Sequence, residues 1–172
     1  MNRRSVSGWS ASLSERLQAL EHFYVTCKGR RAAEGVILPS GAFAMHWFGE
    51  LSSHGTYPSL DVFRRIQAQM SGREIVRGDR TPERTFYLQR NEDWNGISGT
   101  GLVAVGFEFE QMAVLQWLSK NGSTFWYDSV AAVEHVHGHG GRTLVVRAKD
   151  ISAKSESAKD ASAELAMEPT AK

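Results

Sequence analysis

A single cysteine, Cys27, in 172 residues excludes an intramolecular disulfide framework and fits a reducing compartment. An excess of charge of one sign is also lacking. Twenty basic against nineteen acidic side chains leave a formal charge of +1, which suits neither a strongly basic nucleic-acid binder nor an acidic mimic of DNA. A nucleic-acid role would need a local patch. No apolar run approaches the length of a membrane span, and the first residues lack the apolar stretch of a signal peptide, so a soluble, cytoplasmic protein without membrane contact is expected. A catalytic signature is missing too. Cys27 has His22 nearby in sequence, but nothing marks it as an activated nucleophile, and no carboxylates are paired with an evident purpose. The reading leans away from an enzyme, and no cofactor is expected.

What is present is a repeat. The stretch 86–147 has a second, degraded copy that begins at Phe23. Phe23-Tyr24 matches Phe86-Tyr87, and Ala33-x-Gly35 matches Ala104-x-Gly106. Trp47 falls on Trp117, Ser53 on Ser123, Tyr57 on Tyr127 and Ser59 on Ser129; at the far end Gly72-Arg73 is laid on Gly141-Arg142 and Val76 on Val145. Such self-similarity decides the fold before any local reading. Two units of about 60 residues each bury only modest cores, so they are expected to pack on each other as an intramolecular pseudo-dimer, or on a partner, with a homodimer as the alternative.

The local pattern fills in each unit. Ser12-Leu13-Ser14-Glu15 has capping-box spacing, and Leu13, Leu17 and Leu20 lie on one helical face, which predicts a short helix over 13–22 at the end of an N-terminal arm. The first unit, 23–77, reads as strands over 23–26, 32–38 and 42–48 and a short fourth strand ending near Tyr57. Ser59 then caps a helix over 60–70 carrying Leu60, Phe63, Ile66 and Met70, and Arg73 opens a last strand. A charged linker, 78–85, with Gly78 and Pro82 leads to the second unit, 86–147. Strands are expected at 86–91, 102–109, 112–118 and 123–128. Alternation puts Val103, Val105, Phe107 and Phe109 on one face and Ala104, Gly106 and Glu108 on the other. Ser129 caps a helix whose Val130, Val133 and Val136 stand 70 positions beyond Leu60, Phe63 and Ile66, and Gly138 suits the left-handed position after it. The segment 148–172, nearly all Ala, Ser, Lys, Glu and Asp, cannot bury enough apolar surface to order itself and reads as a disordered tail. The fold class is therefore α+β: two tandem ββββαβ units with antiparallel sheets, an N-terminal helix and a disordered C-terminal tail.

Four groups of residues are candidates for chemistry. The loop carrying Gly96, Ser98, Gly99, Thr100 and Gly101 could cradle an anion with converging backbone N–H groups, but it joins two strands and lacks the Lys-Ser/Thr of a P-loop. A structural hairpin loop is the plainer reading. Its counterpart in the first unit carries Lys28, Arg30 and Arg31, an anion or nucleic-acid rim. His135, His137 and His139 cluster at a helix end; His135 and His139 have the spacing of a two-histidine metal face if the helix runs through Gly138, with Glu134 or Asp128 as a third ligand. They suit equally the capping of helix carbonyls. Trp94, Phe125 and Trp126 are the surplus aromatics. Trp126 should face opposite to Phe125 and Tyr127, and the first unit has Gly55 and Thr56 where the second has Phe125 and Trp126, so these aromatics suit a partner-binding surface or, for Trp126, the seam between the units.

The second unit resembles a group of short, uncharacterised proteins of bacteriophages and actinobacterial genomes. The residues that carry the likeness are Arg90-x-Glu92-Asp93, Gly96-x-Ser98-Gly99-Thr100-Gly101, Ala104-x-Gly106, Trp117, Ser123-Thr124, Tyr127-x-Ser129 and His137-Gly138-His139-x-Gly141. It departs from the group at Glu110-Gln111 and at Trp94. The resemblance implies a small antiparallel sheet with one helix and a phage or mobile-element setting, and it transfers no catalytic residue. On it rests the expectation of a non-catalytic interaction protein that binds a host or phage protein, in the manner of an anti-CRISPR inhibitor of a bacterial defence system. The alternatives are a small-ligand or nucleotide binder, or a metal-dependent hydrolase, using the 96–101 loop and the histidines, and nucleic-acid binding through Lys28, Arg30 and Arg31.

Overall fold

In both units the strand alternation produces a sheet with two apolar faces, and one helix can cover only one of them. The computed structural model describes residues 19–93, 96, 99–120 and 122–151. The first unit comprises β1 (His22–Cys27), β2 (Arg30–Ile37), β3 (Phe43–Trp47), β4 (Ser53–Tyr57), helix α1 (Leu60–Gln67) and β5 (Arg73–Arg77). The second comprises β6 (Thr85–Arg90), β7 (Gly101–Glu108), β8 (Ala113–Trp117), β9 (Thr124–Tyr127), helix α2 (Val130–His137) and β10 (Thr143–Arg147). Each forms a five-stranded antiparallel sheet, ordered β4-β3-β2-β1-β5 and β9-β8-β7-β6-β10. The expected α+β duplication is what the chain builds.

Among the described residues three cores follow from this. Leu60 and Phe63 of α1 pack on Phe23, Val25, Ala33, Phe43 and Met45. Val130 and Val133 of α2 pack on Phe86, Leu88, Ala104, Ala113 and Leu115. The opposite sheet faces meet each other: Val36, Leu38 and Ala44 of the first unit join Tyr87, Val105, Phe107, Phe109 and Val114 of the second. The layers run helix, sheet, sheet, helix. Both helices begin as the serine spacing predicts, with Ser59 Oγ accepting from the Val62 N–H and Ser129 Oγ from the Ala132 N–H. The shared Ala-x-Gly has a steric cause: a Cβ on Gly35 would lie 2.4 Å from the Phe43 ring, and one on Gly106 2.2 Å from the Phe86 ring.

Several expectations need correction. Residues 19–21 are not helical and His22 opens β1; the rest of the expected helix over 13–22 lies outside the described residues. Leu20 joins the seam, and its N–H donates to Thr85 Oγ1 at 3.1 Å. Val103 lies with the helix-side core, because the β6–β7 ladder slips between Leu88 and Gln89, where a bulge breaks the alternation. α1 stops at Gln67, short of residue 70. Gly138 is right-handed (φ −67°), and the positive φ falls on His139 (47°), Gly140 and Gly141. Ala148, placed in the tail by composition, is fully buried in the seam with Ile151 packed beside it; the rest of that segment lies outside the described residues. The last strands are also shifted. Arg73 pairs with Cys27 and Thr143 with Arg90, so Arg73 corresponds to Thr143 and Val76 to Val146, one residue on from the match made on the Gly-Arg identities. No helix among the described residues is long and apolar enough to cross a membrane.

Candidate functional site

The seam carries the strongest electrostatics. Tyr24, Glu34, His46 and His54 stand opposite one another across four neighbouring strands of the first sheet. In the second sheet the same row is Tyr87, Val105, Gln116 and Thr124. Glu34, 2% exposed, accepts from His22 Nε2 at 3.1 Å, from Arg84 Nη2 at 2.8 Å and from the Glu110 N–H at 3.2 Å. Burial pushes its carboxyl up, but the His22 and Arg84 hydrogen bonds, the Arg84 charge and the Glu110 amide outweigh burial and hold it at about 2. Arg84 is fixed in turn by donating Nε–H to the Glu108 carbonyl at 2.7 Å and by lying over the Phe107 ring. Across the seam, Gln116 bonds Ser40 through both its carbonyl (3.0 Å) and its amide (2.7 Å). Burial pushes His46 below its ordinary value, opposed by Glu34 and Glu110 and assisted by His54. Sequence reading missed this network, since Glu34 looks like a solvent-facing charge on a strand.

The surplus aromatics separate. Trp94 lies outside the described residues. Trp126 is half-buried in the seam, stacked on Phe109 (centroids 5.5 Å apart) and against His54 at 4.7 Å. Phe125 projects from the other face of β9, 46% exposed, on an edge strand of its sheet.

Of the glycine-rich loop, Ser98 lies outside the described residues. Gly96, Gly99 and Gly101 have positive φ, and the Gly99 N–H donates to Asp93 Oδ2 at 2.9 Å, so the loop closes on its own acidic residue. The first-unit counterpart is a two-residue turn with Lys28 and Gly29 both at positive φ. Its Lys28 N–H donates to Gly72 O at 3.0 Å, Arg31 lies over the Tyr24 ring at 3.7 Å, and Lys28, Arg30 and Arg31 are exposed.

The histidines do not converge on a metal. α2 ends at His137, so His135 and His139 are not one helical turn apart. Among the described residues no three His, Cys, Asp or Glu side chains are grouped to hold an ion. His137 Nε2 instead meets the Tyr127 hydroxyl at 2.6 Å, and its ring stands edge-on to Trp117 at 5.1 Å. Burial pushes its pKa down, and the charges of His139 and Arg90 add to this. Beneath it lies a cluster unremarked in the sequence except through the Arg90-x-Glu92-Asp93 pattern. Arg90 is 6% exposed and Thr143 3% exposed; Arg90 Nε, Asp93 Oδ1 and Thr143 Oγ1 are buried without a hydrogen-bond partner among the described residues.

Residues 83–149, which contain β6 to β10 and α2, match the family described as Acb5 phage protein. The second unit thus resembles a family of phage proteins, and the first unit lies outside the match. No curated protein and no solved structure matches the chain.

Proposed function

We propose that the protein is a non-catalytic interaction protein of a phage or mobile element, which binds a protein of the bacterial host and thereby inhibits a defence system in the manner of anti-CRISPR proteins. The observation that supports this is Phe125. It is a large aromatic, 46% exposed, on an edge strand, at a position that is glycine in the sister unit. The sheet therefore does not need it. An edge strand offers unpaired backbone N–H and C=O groups for strand addition, and an exposed aromatic beside them supplies an anchor of the kind that dominates interface energies. The likeness of the second unit to phage proteins supports the setting.

The test is co-purification from a bacterial host, followed by affinity measurement on the partner recovered. Phe125→Ala is expected to weaken binding by about tenfold or more with melting temperature unchanged. Equal affinity for variant and parent would refute the surface. A thermal-shift screen with nucleotides and divalent cations discriminates the function class: a saturable shift with either would favour a small-ligand protein instead.

A further inference from the structure

The two units treat one arginine differently. In the first, Arg73 lies over the Trp47 ring at 4.8 Å and its Nη1 donates to Gln67 Oε1 at 2.6 Å. In the second, Arg90 lies over the corresponding Trp117 at 5.8 Å. These arginines come from different strands. Arg73 pairs with Cys27 across β5 and β1, and Thr143 pairs with Arg90 across β10 and β6; Cys27 corresponds to Arg90, and Arg73 to Thr143. The guanidinium has changed strands within one cross-strand pair and kept its place over the shared tryptophan.

Its partner has not followed. Gln67 corresponds to His137, which is engaged with Tyr127. Among the described residues Arg90 Nε has no acceptor, and Nη1 is 3.8 Å from Asp93 Oδ1, beyond hydrogen-bond reach. Asp93 is held in place by the Gly99 N–H on its other oxygen. One buried donor and one buried acceptor are thus left near each other at the end of β6, with the unpartnered Thr143 hydroxyl on the residue paired with Arg90 across the ladder, and a buried polar group left unpaired is costly. An anion would meet the Asp93 carboxylate and a cation would meet Arg90. A neutral group with a carbonyl and an N–H side by side satisfies both. The sister unit shows the carbonyl half of such a group in use, Gln67 Oε1 accepting from Arg73.

We propose that Arg90, Asp93 and Thr143 form a recognition site for the side-chain carboxamide of an asparagine or glutamine presented by a bound protein. Its carbonyl accepts from Arg90 Nε, its amide donates to Asp93 Oδ1, and the Thr143 hydroxyl bonds alongside. The first unit fills its own site in cis; the second takes the same group in trans. This rests on the protein-partner reading above and names what the partner presents.

The experiment titrates the full chain with propionamide, and separately with propionate of the same shape, following the Arg90 Nε–H resonance. Propionamide is expected to give a saturable shift, with propionate at least about tenfold weaker, the factor set by one unfavourable charge contact. Thr143→Val weakens the propionamide response. His137→Gln installs the sister unit's glutamine and should abolish the response. The complementary Gln67→Leu should make Arg73 responsive to propionamide. No saturable response, propionate binding as well as propionamide, or a folded His137→Gln that still binds would each overturn the site. Should His137→Gln fail to fold, an unresponsive Arg73 in Gln67→Leu would overturn it. The probes need no host protein, so their failure leaves the Phe125 surface standing, and failure to find a host partner leaves the probe result standing.

Discussion

Replacing Glu34 by glutamine isolates the charge at the centre of the seam. Glutamine keeps the shape and a carbonyl acceptor, and so imitates the protonated carboxyl. The Glu34 carboxyl is held at about 2, against an ordinary value of 4.5. At about 1.4 kcal/mol per pKa unit, the folded state prefers the ionised form by about 3 kcal/mol. Glu34→Gln is therefore expected to lose about 3 kcal/mol at pH 7, roughly 6–12 °C in melting temperature for a chain of this size. The sign with pH follows from the lowered folded value. The contribution is fully present above pH 4.5, declines as pH falls through the window down to about 2, and is absent below it. Urea unfolding at pH 7, 4 and 2.5, read by tryptophan fluorescence, should show the parent and Glu34→Gln converging as the acid window is crossed. An equal gap at pH 7 and pH 2.5 would show that the loss is one of packing and not of charge, and no gap at pH 7 would remove Glu34 as the lock between the units. Arg84→Met, which strips away one donor and leaves a buried carboxylate behind, should cost at least as much at pH 7.

The other predictions concern packing, capping and the histidines. Gly106→Ala drives a Cβ to 2.2 Å from the Phe86 ring and 2.6 Å from the Val114 carbonyl and should cost about 2–3 kcal/mol in denaturant unfolding; Gly55→Ala, which meets nothing within 4 Å, should be neutral. Ser129→Ala removes the α2 cap and should cost about 1 kcal/mol. Trp126→Ala, emptying part of the seam, should cost about 2 kcal/mol, whereas Phe125→Ala should leave stability within about 0.5 kcal/mol. His46 has a lowered folded pKa, so its neutral form supports the fold above pH 6.5 and that support is lost as pH falls. His46→Gln, which copies the corresponding Gln116, should flatten the stability change between pH 7 and pH 5 relative to the parent.

The units were legible because local chemistry specifies them. Ser59 and Ser129, the helical spacing of Leu60-Phe63 and Val130-Val133, and the Ala-x-Gly pairs each act within one strand or one turn, and identity between the copies reports the same packing twice. The seam was not legible. Alternation says that a strand has two apolar faces but not which one meets the helix and which the other sheet. Glu34 takes its partners from positions 22, 84 and 110, and no pattern around residue 34 announces them. The bulge opposite Leu88 defeated the face assignment of Val103 for a related reason: a period of two cannot register an extra residue.

The shift of one residue in the last strands had the largest consequence. Matching Gly72-Arg73 to Gly141-Arg142 set two arginines together by identity and concealed the true counterpart of Arg73, which is Thr143. In a strand, a slip of one residue assigns each side chain to the opposite face. Under that match Arg73 would share the solvent-facing place of Arg142, an exposed residue paired with exposed Glu92. The ladders instead put it over Trp47, where its relation to Arg90 becomes visible. The copies therefore agree on a cation above the tryptophan and disagree on what completes it. The first unit ends that arrangement with its own glutamine. The second ends it with a histidine turned toward Tyr127, leaving a buried donor and acceptor for which the folded chain supplies no partner among the described residues. An internal bond made in one of two otherwise parallel units and missing from the other singles out the second unit as the one to test for a bound partner.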